Sequence, residues 1–153
     1  MEEDEYRSTY SQFNQTRCAF EKAVLTRRCN CVHAHKFCLA EREGIACRAN
    51  PNQQRCLQFL GLARQKARFV LQLARPDDAL PHAKEIRVQL GSLIGLAESL
   101  EIPLKDNEIE NIDTLLSLAE QNFSSLDKLP FDTLIRVIKE TQGRRPRRKT
   151  NKP

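Results

Sequence analysis

Residues 29–47 read Cys-Asn-Cys-Val-His-Ala-His-Lys-Phe-Cys-Leu-Ala-Glu-Arg-Glu-Gly-Ile-Ala-Cys, and the reading of this stretch sets the fold class. Its first part, Cys29 to His35, is a poor helix interior and is expected to turn, because Asn, Val and His all rank low as helix formers. Lys36 to Glu43 then predicts a short helix that Gly44 ends, since glycine tolerates a left-handed cap. No convincing pair of strands stands out here or elsewhere. The expectation is an all-α fold, a small bundle of about five helices with a cysteine-rich N-terminal segment.

Upstream, Tyr6, Tyr10, Phe13, Phe20 and Val24 recur at helical intervals, which predicts one helix from residue 4 to about 28. Downstream, Asn50-Pro51 is a helix start, with asparagine as cap and proline at the first helical position. That helix is expected to run to about Ala74, with Cys56, Phe59, Leu60, Ala63, Ala67, Val70 and Leu71 on its buried face. Arg75-Pro76-Asp77-Asp78 reads as a linker. A third helix is predicted from Pro81 (Ile86, Leu90, Leu93, Ala97, Leu100), a fourth over 106–123 and a fifth from Pro130. Gly91 and Gly95 make a Gly-x-x-x-Gly ridge on the third, best explained by a neighbouring helix packed close against it. The tail 143–153 has no apolar residue to bury and is expected to be disordered.

The domain division follows charge. Residues 17–75 hold twelve bases and three acids, whereas 76–143 hold six bases and thirteen acids. The expected organisation is a cysteine-rich basic segment (1–75), an acidic helical segment packed on it (76–142) and a basic tail (143–153). No run of about 18 apolar residues is present, so no spanning helix is expected. The start, Met-Glu-Glu-Asp-Glu, is unlike a basic, apolar export signal, and a cytoplasmic location is expected. Thiols there are normally kept reduced.

All six cysteines, Cys18, Cys29, Cys31, Cys38, Cys47 and Cys56, lie within residues 18–56, together with His33 and His35. Thiolates are soft anionic donors, and such density in a reducing compartment suggests a metal. The spacing lacks the paired Cys-x-x-Cys knuckles of zinc ribbons and the ferredoxin run. Cys29, Cys38, Cys47 and Cys56 each fall at an expected turn or helix end and form the candidate ligand set, with Cys31 as substitute. Cys18 is set aside, because a continuous helix would hold it roughly 16 Å from Cys29 along the axis. Ordinary buried cysteines or disulfides are the competing reading.

Six thiols exceed what one cluster requires, so an iron–sulfur cluster is the expected cofactor, with zinc (recruiting His33 or His35) as the alternative. The expected role is electron transfer, redox sensing or accessory work, with the basic half docked on the acidic surface of a larger protein such as a metalloenzyme. The alternative is a zinc-stabilised module that binds nucleic acid through the basic half and tail. No phosphate-cradling loop, catalytic triad or paired carboxylates stand out, and a non-enzymatic role is expected.

Overall fold

The computed structural model describes residues 2–72 and 80–142. The expected linker, the end of the second predicted helix at 73–74 and the expected disordered tail lie outside the described residues.

The all-α expectation is overturned by residues 29–47. In place of a turn and a short helix, Ala34–Leu39 (β1) and Arg42–Cys47 (β2) pair as an antiparallel hairpin, with Leu39 opposite Arg42 and Ala34 opposite Cys47. The two connecting residues, Ala40 and Glu41, have φ of 50° and 66°. Positive φ at both positions gives a turn whose twist matches that of the strands, normally signalled by Asn-Gly or Asp-Gly. Here Ala-Glu conceals it. Gly44 is a strand residue opposite Phe37, and a Cβ built there would lie 2.5 Å from the Phe37 ring. The ring also meets Tyr10 and Phe13, at centroid distances of 6.0 and 5.1 Å.

The single helix expected over 4–28 is two. Glu3–Phe13 (α1) ends at Asn14, whose Nδ2 donates to the Tyr10 hydroxyl (2.8 Å) and to the Ile45 carbonyl (3.1 Å). The chain then runs extended beside β2. The Cys18 N–H donates to Ile45 (3.0 Å), and the Cys47 N–H donates to Thr16 (2.7 Å). The helix resumes only as Glu21–Leu25 (α2). Glu21 is buried beneath this junction and accepts the Tyr10 hydroxyl, the Ile45 N–H and Arg17. A buried carboxylate is tolerable only with such partners, so Glu21 fixes the break.

Helices make up the rest. Asn50–Lys66 (α3) carries Phe59, Leu60 and Ala63 into the core. It ends well short of the expected Ala74, residues 67–72 forming turns in which Gln72 takes φ of 57°. His82–Ser99 (α4) is buried along most of its length. Ile112–Phe123 (α5) starts later than the predicted 106, because Asp106 and Asn107 take positive φ and Ile109 pairs with the chain at Cys29. A 3-10 turn at Leu126–Lys128 leads to Phe131–Glu140 (α6). Helices α4 and α6 meet along the glycine ridge, where a Cβ on Gly91 would lie 2.7 Å from the Ile138 Cα and one on Gly95 3.0 Å from the Leu134 Cα. Phe20, Phe59, Leu93, Leu96, Leu116 and Leu134 belong to one apolar cluster, so residues before 75 and after 80 share a core. Among the described residues no helix is long and apolar enough to cross a membrane.

Candidate metal centre

The hairpin brings four distant segments to one place. Because residues 16–18 pair with β2, Cys18 stands beside Cys47 at the strand's end. The Arg48 N–H donates to the His33 carbonyl (2.9 Å), which draws the Cys31–His33 loop to the same end. Helix α3 starts three residues after Cys47 and places Cys56 in its second turn, while Gln53 reaches back to the Arg17 carbonyl (2.8 Å). Cys18, Cys31, Cys47 and Cys56 thus line a single small cavity, with Phe20 and Ile112 as its floor and His33, Asn52 and Asp113 around it.

Of the sequence-based ligand set, Cys31, Cys47 and Cys56 share this cavity and Cys29 and Cys38 do not line it. Cys29 is buried behind the loop, against Ile109. Cys38 is exposed on β1, and all six cysteines are free thiols. Cys18, set aside on the assumption of an unbroken helix, is the fourth member. The broken helix removes the separation that excluded it.

Burial governs these thiols. It pushes Cys18 and Cys56 up to about 12, and the neighbouring cavity thiols add to the effect. An opposing influence on Cys18 is the Phe20 N–H, which is placed to bond its sulfur. The Cys47 thiol donates to the Ala49 carbonyl (3.3 Å). Part-buried thiols lining one cavity carry charge only at a cost unless a counter-charge is present. A metal ion or cluster supplies one, displacing the protons as it binds.

The rim is polar and organised by α5. Asp113 accepts from Arg55 Nη2 (2.6 Å) and from Asn52, and its other oxygen lies 3.5 Å from His33 Nε2. Asn111, the helix cap, accepts the N–H of Asp113 (3.2 Å) and of Val32 (3.1 Å) through one oxygen. His35 lies farther out, exposed, with Nδ1 2.8 Å from Arg48.

The donor set suits zinc or an iron–sulfur cluster, both of which accept four thiolates. Zinc bonded to sulfur at about 2.3 Å in a tetrahedron sets its sulfurs about 3.8 Å apart. Among the described residues no three His, Cys, Asp or Glu side chains are gathered closely enough to hold a single ion. The cavity itself measures about 20 Å³, room for about one water molecule. The arrangement is therefore wider than a closed zinc tetrahedron, while the space between the thiols is smaller than a cluster. A group of either kind requires the thiols to reorient.

Comparison of the chain with protein-family models, with curated proteins and with solved structures finds no match.

Proposed function

We propose that Cys18, Cys31, Cys47 and Cys56 hold a metal centre, an iron–sulfur cluster in the first reading, and that the protein is a small electron-transfer, redox-sensing or accessory factor. The observation that carries this is the convergence of four thiols, from four separate segments, on one cavity. Chance burial of cysteines in a core does not require the chain to break a helix, add an extended segment beside β2 and start α3 at one point. Four thiols and, among the described residues, no other soft donor on the cavity suit a cluster, which takes four thiolates. A cytoplasmic setting accords with six unpaired thiols. Arg48 lies exposed beside the site, and the excess of bases over acids in residues 17–75 suits an acidic partner such as a larger metalloenzyme.

The test is purification without oxygen, followed by iron, sulfide and zinc analysis. Brown protein with absorption near about 400 nm and iron matched by acid-labile sulfide supports the cluster. Protein devoid of every metal, even after reconstitution, overturns the proposal.

The second reading is structural zinc, favoured by His33 on the cavity wall beside the thiols, since zinc accepts mixed sulfur and imidazole donors. It takes the protein as a zinc-stabilised module whose basic N-terminal half contacts nucleic acid. It requires colourless protein with stoichiometric zinc and binding that weakens steeply with salt. Zinc with no affinity for mixed DNA and RNA fragments rejects the nucleic-acid part of that reading.

A further inference from the structure

We infer that Asp113 and Asn111, in the half of the chain that carries no cysteine, are positioning residues of the four-thiol site, and that Asp113 also tunes its charge. This rests on the metal-centre reading above. The ligands come from the basic half, where the β1–β2 pairing of Ala34 with Cys47 and the Arg48 N–H bond to the His33 carbonyl already bring the Cys31 loop near the start of α3. Side chains of α5 add a second tie between them. The Cys31 loop is fastened at Val32, whose N–H donates to the Asn111 oxygen (3.1 Å), and at His33, whose Nε2 lies 3.5 Å from Asp113. The start of α3 is fastened by Asn52 and by Arg55, whose Nη2 donates to Asp113 at 2.6 Å. One carboxylate therefore joins the loop carrying Cys31 to the helix carrying Cys56. The same turn is anchored to the loop by backbone bonds from Asn30 to Ile109 (2.9 Å) and from Ile112 to Asn30 (2.9 Å).

The second consequence is electrostatic. Arg55 precedes Cys56 and lowers the energy of a charge on that sulfur. Asp113 neutralises Arg55 from the other side and lies on the cavity wall itself. Its side chain is 22% exposed, so water screens it only in part. A negative charge at this place opposes the addition of an electron to the centre and favours a bound cation. Groups that orient ligands in this way are commonly worth about 10–100-fold in metal affinity.

The experiment compares the full chain with four variants, Asp113→Asn, Asp113→Glu, Asn111→Asp and Asn111→Ala, each loaded anaerobically with iron and sulfide, or with zinc if native protein carries zinc. Asp113→Asn should lose its metal to a chelator at least about tenfold faster than the parent, and Asp113→Glu should recover most of that loss. If the centre is a cluster, dithionite titration should show a more positive reduction potential for Asp113→Asn. Asn111→Asp, which keeps the acceptor for Val32 and adds a charge at the same turn, should shift the potential the opposite way. A merely structural role would not produce opposite shifts from opposite charge changes. Equal metal retention and equal potentials in all proteins overturn the inference while leaving the thiol site standing. A parent protein that binds no metal instead sinks the reading beneath it. If Asp113→Asn does not fold, Asn111→Asp decides a cluster protein by its potential, and Asp113→Glu against Asn111→Ala decides a zinc protein by release rate, parental release from Asn111→Ala counting against.

Discussion

The helices after residue 80 and the cysteine region before residue 57 are held by different kinds of contact. In the former, α4 and α6 lie against each other through Gly91 and Gly95 and their contact is aliphatic, the buried polar groups of α4 (Glu85, Gln89 and Ser92) lying apart from it. In the latter, short elements are tied by single hydrogen bonds around polar side chains, Asn14, Glu21 and Gln53 from within it and Asn111 and Asp113 reaching it from the start of α5. Apolar helix packing is tolerant of small shifts in register. A polar junction is not, because each buried group needs its own partner. That difference suits the second region to fixing the position of side chains, and it is where the thiols converge.

At neutral pH the largest stability effect is expected in the helical region. Gly91→Ala gains about 1 kcal/mol of helix propensity but puts a Cβ 2.7 Å from the Ile138 backbone, which has no flexible end to move aside. Overpacking of this kind costs about 1–3 kcal/mol, so the net loss expected is up to about 2 kcal/mol, read from urea unfolding. In the cysteine region Gly44→Ala is the counterpart. Its Cβ would meet the Phe37 ring, which is able to tilt, so the loss should be smaller, about 1 kcal/mol. The same change should shift the tyrosine and phenylalanine signals of Tyr10 and Phe13, which pack on that ring. Equal losses at the two glycines would erase the contrast.

Cys29 sharpens it through pH. Burial holds its thiol at about 12 in the folded protein, against about 8.5 in an unfolded chain. Below 8.5 both states keep the proton and the group has no effect. Above it the unfolded chain releases a proton that the folded one retains, so stability falls as pH rises towards 12 and then levels off. The slope from this group should approach about 1.4 kcal/mol for each pH unit. Cys29→Ala should make the fall in stability between about pH 9 and about pH 11 shallower, the Cys18 and Cys56 thiols keeping their own share of it. The smallest effect belongs to Cys38. It is exposed on β1, so an alkylating reagent should modify it first and Cys38→Ser should leave stability unchanged. Alkylation of Cys29 ahead of Cys38 in folded protein would contradict the burial assigned to each.

Helices α3 to α6 were legible because their apolar residues repeat at helical spacing and because Asn50-Pro51, Pro81 and Pro130 mark their starts. The hairpin was not. Its turn uses Ala40 and Glu41 at positive φ, where the usual signal is glycine or asparagine. Gly44, the one glycine nearby, lies beneath Phe37 in β2, while its place after Glu43 imitates a helix cap. The break after Phe13 hangs on Asn14 and Glu21, whose roles appear only when Ile45 arrives from 24 or more residues away. With the break hidden, Cys18 looked distant from the other cysteines. Asn111 and Asp113 were likewise submerged in a stretch read as helix from 106, although Asn111 two residues before an aspartate was a readable cap signal.

The most direct measurement is the metal content of six single Cys→Ser variants purified without oxygen beside the parent. Serine keeps the size of cysteine but loses the soft thiolate. Replacement of Cys18, Cys31, Cys47 or Cys56 should deplete the metal and lower the melting temperature, and replacement of Cys29 or Cys38 should leave the metal at the parental level. Depletion by Cys29→Ser and Cys38→Ser, with full metal in Cys18→Ser, would contradict the four-thiol site.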